Sequence, residues 1–164
     1  MVEAITCARL VLRRVLAEDA QALHPIFSDV EAMRYWSTLP HANLAQTEQW
    51  VADMMAAPID LSDDFIVVVD GRVVGKLGCW RLPEVGFLFA RDCWGRGYAS
   101  EALTAFLAHR RRQGGREITA DTDPRNRASI GLLQRHGFVE TGRAQKTWLI
   151  GGQWFDSIYW RAKL

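Results

Sequence analysis

The chain has 164 residues, 49% of them hydrophobic and 24% charged. That is enough length and apolar content for one packed domain over 1–164, and it excludes a disordered segment. A formal net charge of +1 argues against a protein that holds nucleic acid through its overall field, while leaving room for an anion bound at one local site.

In chain order, Ala8 to Arg14 alternates apolar and charged residues and reads as a half-buried first strand. A helix follows from Ala17 through Leu23, Ile26 and Phe27, with acid in its first turn and Pro25 as a candidate kink. Asp29 is placed to cap a short helix through Met33 and Trp36. Another helix is expected from about Leu44 to Met55, its apolar face made by Trp50, Val51, Met54 and Met55. Phe65–Val69 is a strand, Asp70-Gly71 a hairpin turn, and Arg72–Trp80 the returning strand.

Pro83-Glu84 opens a central strand that runs into the turn Trp94-Gly95-Arg96-Gly97-Tyr98-Ala99-Ser100, and a helix follows to Arg112. Arg116–Thr122 is a strand, and Asp123-Pro124-Arg125-Asn126 a turn that caps a helix from Ala128 to His136. Phe138–Arg143 is a strand, and Lys146 to Leu164 forms a hairpin around Gly151-Gly152. The expected fold is α/β: a single mixed, mostly antiparallel central sheet of about six or seven strands flanked by helices.

Cys7, Cys79 and Cys93 fit neither a zinc spacing nor a paired disulfide framework, so Cys79 and Cys93 read as core residues and no metal is expected. No apolar run approaches membrane-spanning length and no signal peptide is evident, which makes a cytoplasmic location, away from membranes, the expectation.

The glycine turn carries the first chemical signal. A tight strand-to-helix turn leaves backbone N–H groups unpaired at the positive end of a helix, where a phosphate fits. Glycine lets the backbone take the needed φ and come close to the ligand. Alone, Gly95-x-Gly97 is as consistent with a simple packed turn. Arg91 and Arg96 are equally readable as phosphate contacts or as solvated loop residues.

Together the motifs resemble the GNAT superfamily of acetyl-CoA-dependent N-acetyltransferases, and within it the branch of ribosomal-protein N-terminal (alanine) acetyltransferases. The residues that carry the resemblance are Arg9-Leu10-Val11-Leu12-Arg13, Glu84-Val85-Gly86-Phe87, the stretch Trp94 to Ala102, Asn126 with Ser129, Leu132, Leu133, Gly137 and Phe138, and Trp154-Phe155-Asp156. The resemblance implies acetyl-CoA as co-substrate and a primary amine as acceptor, either a protein N-terminal α-amine or a small molecule, acetylated by direct attack in a ternary complex. Glu84 would take the amine's proton, directly or through a water, and is otherwise readable as a strand-end carboxylate paired with an arginine. Leu88, Phe89 and Ala90 would splay from the neighbouring strand and offer backbone groups to the pantetheine arm and the thioester carbonyl.

The pyrophosphate would lie on Gly95, Arg96, Gly97, Tyr98, Ala99 and Ser100, with charge from Arg91. Asn126 would bond the pantetheine arm, serve as a helix N-cap, or both. Many relatives carry a tyrosine where Leu133 stands and use it to protonate the leaving thiolate. Here Ser129 is the remaining hydroxyl, as acid or as a hydrogen-bond donor to the sulfur. Met33, Trp36, Trp80 and Trp148, with His41 and Trp154, are candidates for the acceptor wall, although aromatics at such positions are commonly core. His109-Arg110-Arg111-Arg112 reads as a solvated helix end. The implied assembly is a monomer or homodimer without nucleic acid. The alternative is a domain of the same fold that binds acyl-CoA or a partner without turnover.

Overall fold

A computed structural model describes residues 4–164. The elements are β1 (Ala4–Thr6), β2 (Val11–Arg13), α1 (Asp19–Phe27), α2 (Leu44–Ala56), β3 (Asp63–Val69), β4 (Arg72–Arg81), β5 (Glu84–Phe89), α3 (Tyr98–Arg112), β6 (Glu117–Thr122), α4 (Arg127–Arg135), β7 (Val139–Ile150) and β8 (Gln153–Lys163). They form one eight-stranded sheet in the order β1-β2-β3-β4-β5-β6-β8-β7. β5 and β6 run parallel, and the other neighbours are antiparallel.

The turn chemistry explains the sharpest boundary. Asp70 (φ 48°) and Gly71 (φ 77°) both take positive φ between β3 and β4, the pattern of the hairpin turn whose twist matches its strands. Three expectations change. The first strand, expected from Ala8 to Arg14, shortens to β2 and a further strand, β1, precedes it: Cys7 N–H closes a turn on Leu10 O at 2.9 Å, so β1 and β2 form a short hairpin and the sheet has eight strands rather than six or seven.

The short helix after Asp29 is instead a run of turns. Asp29 Oδ1 accepts from Glu31 N–H at 3.0 Å, two residues on, which favours a turn over a cap. In the tail, Phe138–Arg143 and the first hairpin strand merge into one long β7. Its register slips where Lys146 takes φ 51°, and Asp156 Oδ1 accepts the displaced Lys146 N–H at 2.9 Å.

Alternation along β3 sorts the two faces of the sheet. Phe65 points to α3, where it meets Phe106 at 6.1 Å and His109 at 5.5 Å between ring centroids. Asp64 points to the other face and pairs with buried Lys76 at 2.7 Å, and Lys76 Nζ lies 5.7 Å from the Trp36 ring. On that second face Phe27 of α1 contacts Trp50 of α2 at 4.5 Å. The register Leu88↔Lys76 and Gly86↔Gly78 puts Glu84, Gly86 and Leu88 on this face as well.

Candidate active site

The parallel pair β5 and β6 is joined at one register position, Glu84↔Thr119, next to a hydrogen bond from Thr119 N–H to Pro83 O at 3.1 Å. Beyond it the two strands part. On its other side β5 stays bonded to β4, and Ala90 N–H donates to Val74 O at 2.8 Å. Alternation then turns the amide groups of Phe87 and Phe89 toward the opening. Trp94 Nε1 donates to Phe89 O at 3.0 Å, which leaves Phe89 N–H facing the gap.

After a 3-10 turn at Arg91–Cys93, Gly95 and Gly97 take φ +72° and +80°. Gly97 is the N-cap of α3 and supplies no side-chain cap, so the first-turn N–H groups of this 15-residue helix keep their donors for an anion. A Cβ at Gly95 would meet nothing within 4 Å, so glycine serves the backbone conformation there. These features fit the diphosphate of a coenzyme.

Arg9 braces the loop from behind. Its Nη1 donates to Arg96 O at 2.8 Å, its Nε and backbone N–H each reach Glu101 at 2.7 Å, and its guanidinium lies 4.9 Å from the Tyr98 ring centroid. Burial opposes ionisation of Glu101, but the hydrogen bonds from Arg9 hold its pKa below the usual value. His136 ties α4 to the same loop, with Nε2 3.1 Å from Ser100 O and 3.2 Å from Ser100 Oγ.

A cleft of about 1130 Å³ opens on the second face, beside the start of β5. Glu84, Gly86, Thr119 and Asp121 form its floor. Trp36, Trp50 and Trp80 make one wall, and Trp148 and Phe155 of the β7–β8 hairpin the other. Desolvation within the cleft pushes the carboxyl of solvent-exposed Glu84 above its ordinary pKa, and the negative charge of Asp121 adds to this, with Arg81 opposing.

Trp148 Nε1 donates to Asp121 Oδ2 at 2.9 Å. Arg125 spans the rim: it makes a two-pronged pair with Asp123 and lies 5.6 Å from the Tyr35 ring and 5.3 Å from the Phe155 ring. His41 also lines the cleft, stacked on Phe27 at 4.8 Å, and its Nδ1 shares the Thr47 hydroxyl with His24 Nδ1 at 2.7 and 2.8 Å.

The expected site residues sort as follows. Glu84, Met33, Trp36, Trp80, Trp148 and His41 all line the cleft, whereas Trp154 is 51% exposed outside it. Leu88, Phe89 and Ala90 lie along the edge that parts from β6. Gly95 to Ser100 form the loop at the start of α3. Arg91 Nε is committed to Asp29 at 2.9 Å, whereas Arg96 projects its side chain into solvent.

Asn126 caps α4, its Oδ1 accepting Ser129 N–H at 3.2 Å. Ser129 is half-buried on that first turn and is not part of the cleft wall. Leu133 is fully buried. The end of α3 corrects the solvated reading: His109 and Arg110 turn inward, each 2.8 Å from buried Asp63.

Sequence reading missed the Arg9 brace, the Asp121–Trp148 bond and the Arg125 rim. The Arg9 motif and the Asp123-Pro124-Arg125-Asn126 turn left a trace in the sequence. The Asp121–Trp148 bond depends on strand register across β6, β8 and β7, and the ring contacts of Arg125 depend on Tyr35 and Phe155, which are distant in sequence. Among the described residues no group of three or more His, Cys, Asp or Glu side chains could hold a metal ion, and no helix is long and apolar enough to cross a membrane.

Residues 9–139 match the model of a family described as acetyltransferase (GNAT) domain. The chain is 29% identical over 154 residues to an uncharacterized N-acetyltransferase, p20, of Bacillus licheniformis, covering 85% of this chain and 84% of that one. It is 37% identical over 82 residues to the ribosomal protein uS5 alanine N-acetyltransferase of Escherichia coli, covering 49% of this chain and 42% of that one. A crystal structure of a GNAT-family acetyltransferase from Bacillus anthracis superposes with a TM-score of 0.85 at 26% identity, covering 98% of both chains.

Proposed function

Because the chain belongs to the GNAT acetyltransferase family, we propose that it acetylates a primary amine by direct attack on acetyl-CoA in a ternary complex, with Glu84 as general base. The observation that carries this reading is the position of Glu84. It sits where β5 and β6 part, at the floor of the cleft, with a carboxyl biased toward holding a proton.

In this reading the backbone of Gly95 to Ser100 holds the pyrophosphate, and the edge of Leu88, Phe89 and Ala90 aligns the pantetheine arm. Phe89 N–H donates to the thioester carbonyl as negative charge develops on its oxygen. Glu84 accepts the proton of the incoming ammonium, directly or through a water. The freed nitrogen forms its bond to the carbonyl carbon, the carbon–sulfur bond breaks, and the sulfur leaves as a thiolate that takes up the second proton the nitrogen gives up on becoming an amide. Ser129 is the hydroxyl at the start of α4 proposed to hydrogen-bond that sulfur, and Asn126 the residue that orients the turn.

The relative that acetylates a ribosomal-protein alanine supports an α-amine as one acceptor type. Thiol release from acetyl-CoA in the presence of an amine panel, with mass spectrometry of the products, tests the reading. Release that no amine raises above background hydrolysis would defeat it.

A further inference from the structure

We propose that the acceptor carries its amine on a short linker from an aromatic ring, and that Gly86 sets this specificity by leaving the floor of the cleft flat. The inference rests on the reading of the cleft as the acceptor site.

Gly86 has no structural need to be glycine. Its φ lies outside the left-handed region, and a Cβ there would meet only Trp36 Cη2 at 3.8 Å, an ordinary contact. Its neighbours in β4 differ. A Cβ at Gly75 would fall 2.1 Å from Leu88 O, and Gly78 takes φ +153° with Asp63 O 2.6 Å from the same point. At those positions the fold demands glycine. At Gly86 the missing side chain instead leaves bare backbone on the cleft floor.

Gly86 is two residues from Glu84 on the same face, about 7 Å along the strand. Gly86 therefore lies between Glu84 and Phe89 N–H, so a ring over Gly86 carries its amine on a short linker toward the thioester, with a water joining the nitrogen to Glu84. Trp36 borders the floor at this point, and the wall continues through Trp50 and Trp80, whose rings are 5.5 Å apart. Trp80 and Trp148 are 41% and 40% exposed, which leaves aromatic surface on both walls to pack against a ring.

The charges on the cleft floor fit an ammonium. Of the cleft carboxylates, Asp123 is held by Arg125 at 2.8 Å and Asp156 accepts Lys146 N–H at 2.9 Å. Glu84 and Asp121 stand together on the floor, and the adjoining surface is aromatic.

The test compares phenethylamine, butylamine and spermidine as acceptors, in wild type and Gly86→Ala, with matched thermal melts confirming the fold. Binding of each amine is followed separately by tryptophan fluorescence. Wild type is expected to favour phenethylamine over butylamine by about tenfold in kcat/KM, the scale of discrimination that an apolar pocket provides. Gly86→Ala should erase about tenfold of that ratio, through KM.

Equal efficiency on the two amines, or a Gly86→Ala variant with the wild-type ratio, would overturn the inference while leaving amine acetylation standing. A cleft that binds phenethylamine no better than butylamine overturns it whether or not turnover is seen. Saturable phenethylamine binding without any thiol release would instead defeat the proposed reaction.

Discussion

Trp148 donates its indole N–H to Asp121 at 2.9 Å and so fixes a second carboxylate beside Glu84. Desolvation is the larger cause of the raised Glu84 pKa, and Asp121 the next. Asp121→Asn removes the like charge, so the Glu84 pKa should fall. A base works in its ionised form, so the acid limb of the kcat/KM profile should move to lower pH. A limb that stays put or moves up would separate Asp121 from the base.

Arg9 holds the glycine loop through Arg96 O and Glu101, yet its side chain is 50% exposed. Solvent screening limits the contribution of such a pair to stability, so Arg9→Ala should barely lower the melting temperature. Its effect should appear in loop geometry: an increase of about tenfold in KM for acetyl-CoA, or about 1.4 kcal/mol, with KM for the amine unchanged. Steady-state kinetics with each substrate varied in turn checks this.

Gly97 combines φ +80° with a Cβ position 3.2 Å from Arg9 Nη2. Gly97→Ala should therefore cost about 1–2 kcal/mol for the left-handed backbone and also displace the brace. Gly95→Ala meets no neighbour within 4 Å and should show the backbone cost alone. Calorimetric titration with CoA should rank affinity as wild type, then Gly95→Ala, then Gly97→Ala.

Asp63 anchors the end of α3 to β3. Burial opposes its ionisation, but hydrogen bonds from Arg110, Arg14 and His109 outweigh it and leave the pKa lowered. A depressed folded pKa contributes stability above the unfolded value, near 4, and that stability is lost as pH falls through the folded value. Asp63→Asn leaves part-buried guanidinium groups short of a counter-charge and should destabilise the fold by about 3 kcal/mol at neutral pH. Its stability should also vary less with pH in the acid range, as denaturant titrations at a series of pH values would show.

Local chemistry made much of the site legible from sequence. The Asp70-Gly71 turn, the glycine loop and the Asn126 cap each depend on a few adjacent residues, and each occurs where their backbone preferences put it. Glu84 is singled out by the family resemblance, and the strand it opens puts it on the cleft floor. What the sequence hid is set by distant partners. His109 and Arg110 have the look of a solvated helix end until Asp63, far away in sequence, turns them inward. Asp29 has the look of a cap, but Glu31 N–H and Arg91 take its two oxygens. The long β7 depends on Asp156 accepting a bulged amide across the hairpin.

The role of Glu84 is tested most directly by amine-dependent thiol release from acetyl-CoA, measured across pH for wild type and Glu84→Gln beside a CoA titration of each. The expected result is a loss of turnover of about 10²-fold or more near neutral pH, a flattened acid limb and unchanged CoA affinity. Wild-type turnover and an unshifted pH profile in Glu84→Gln would contradict it.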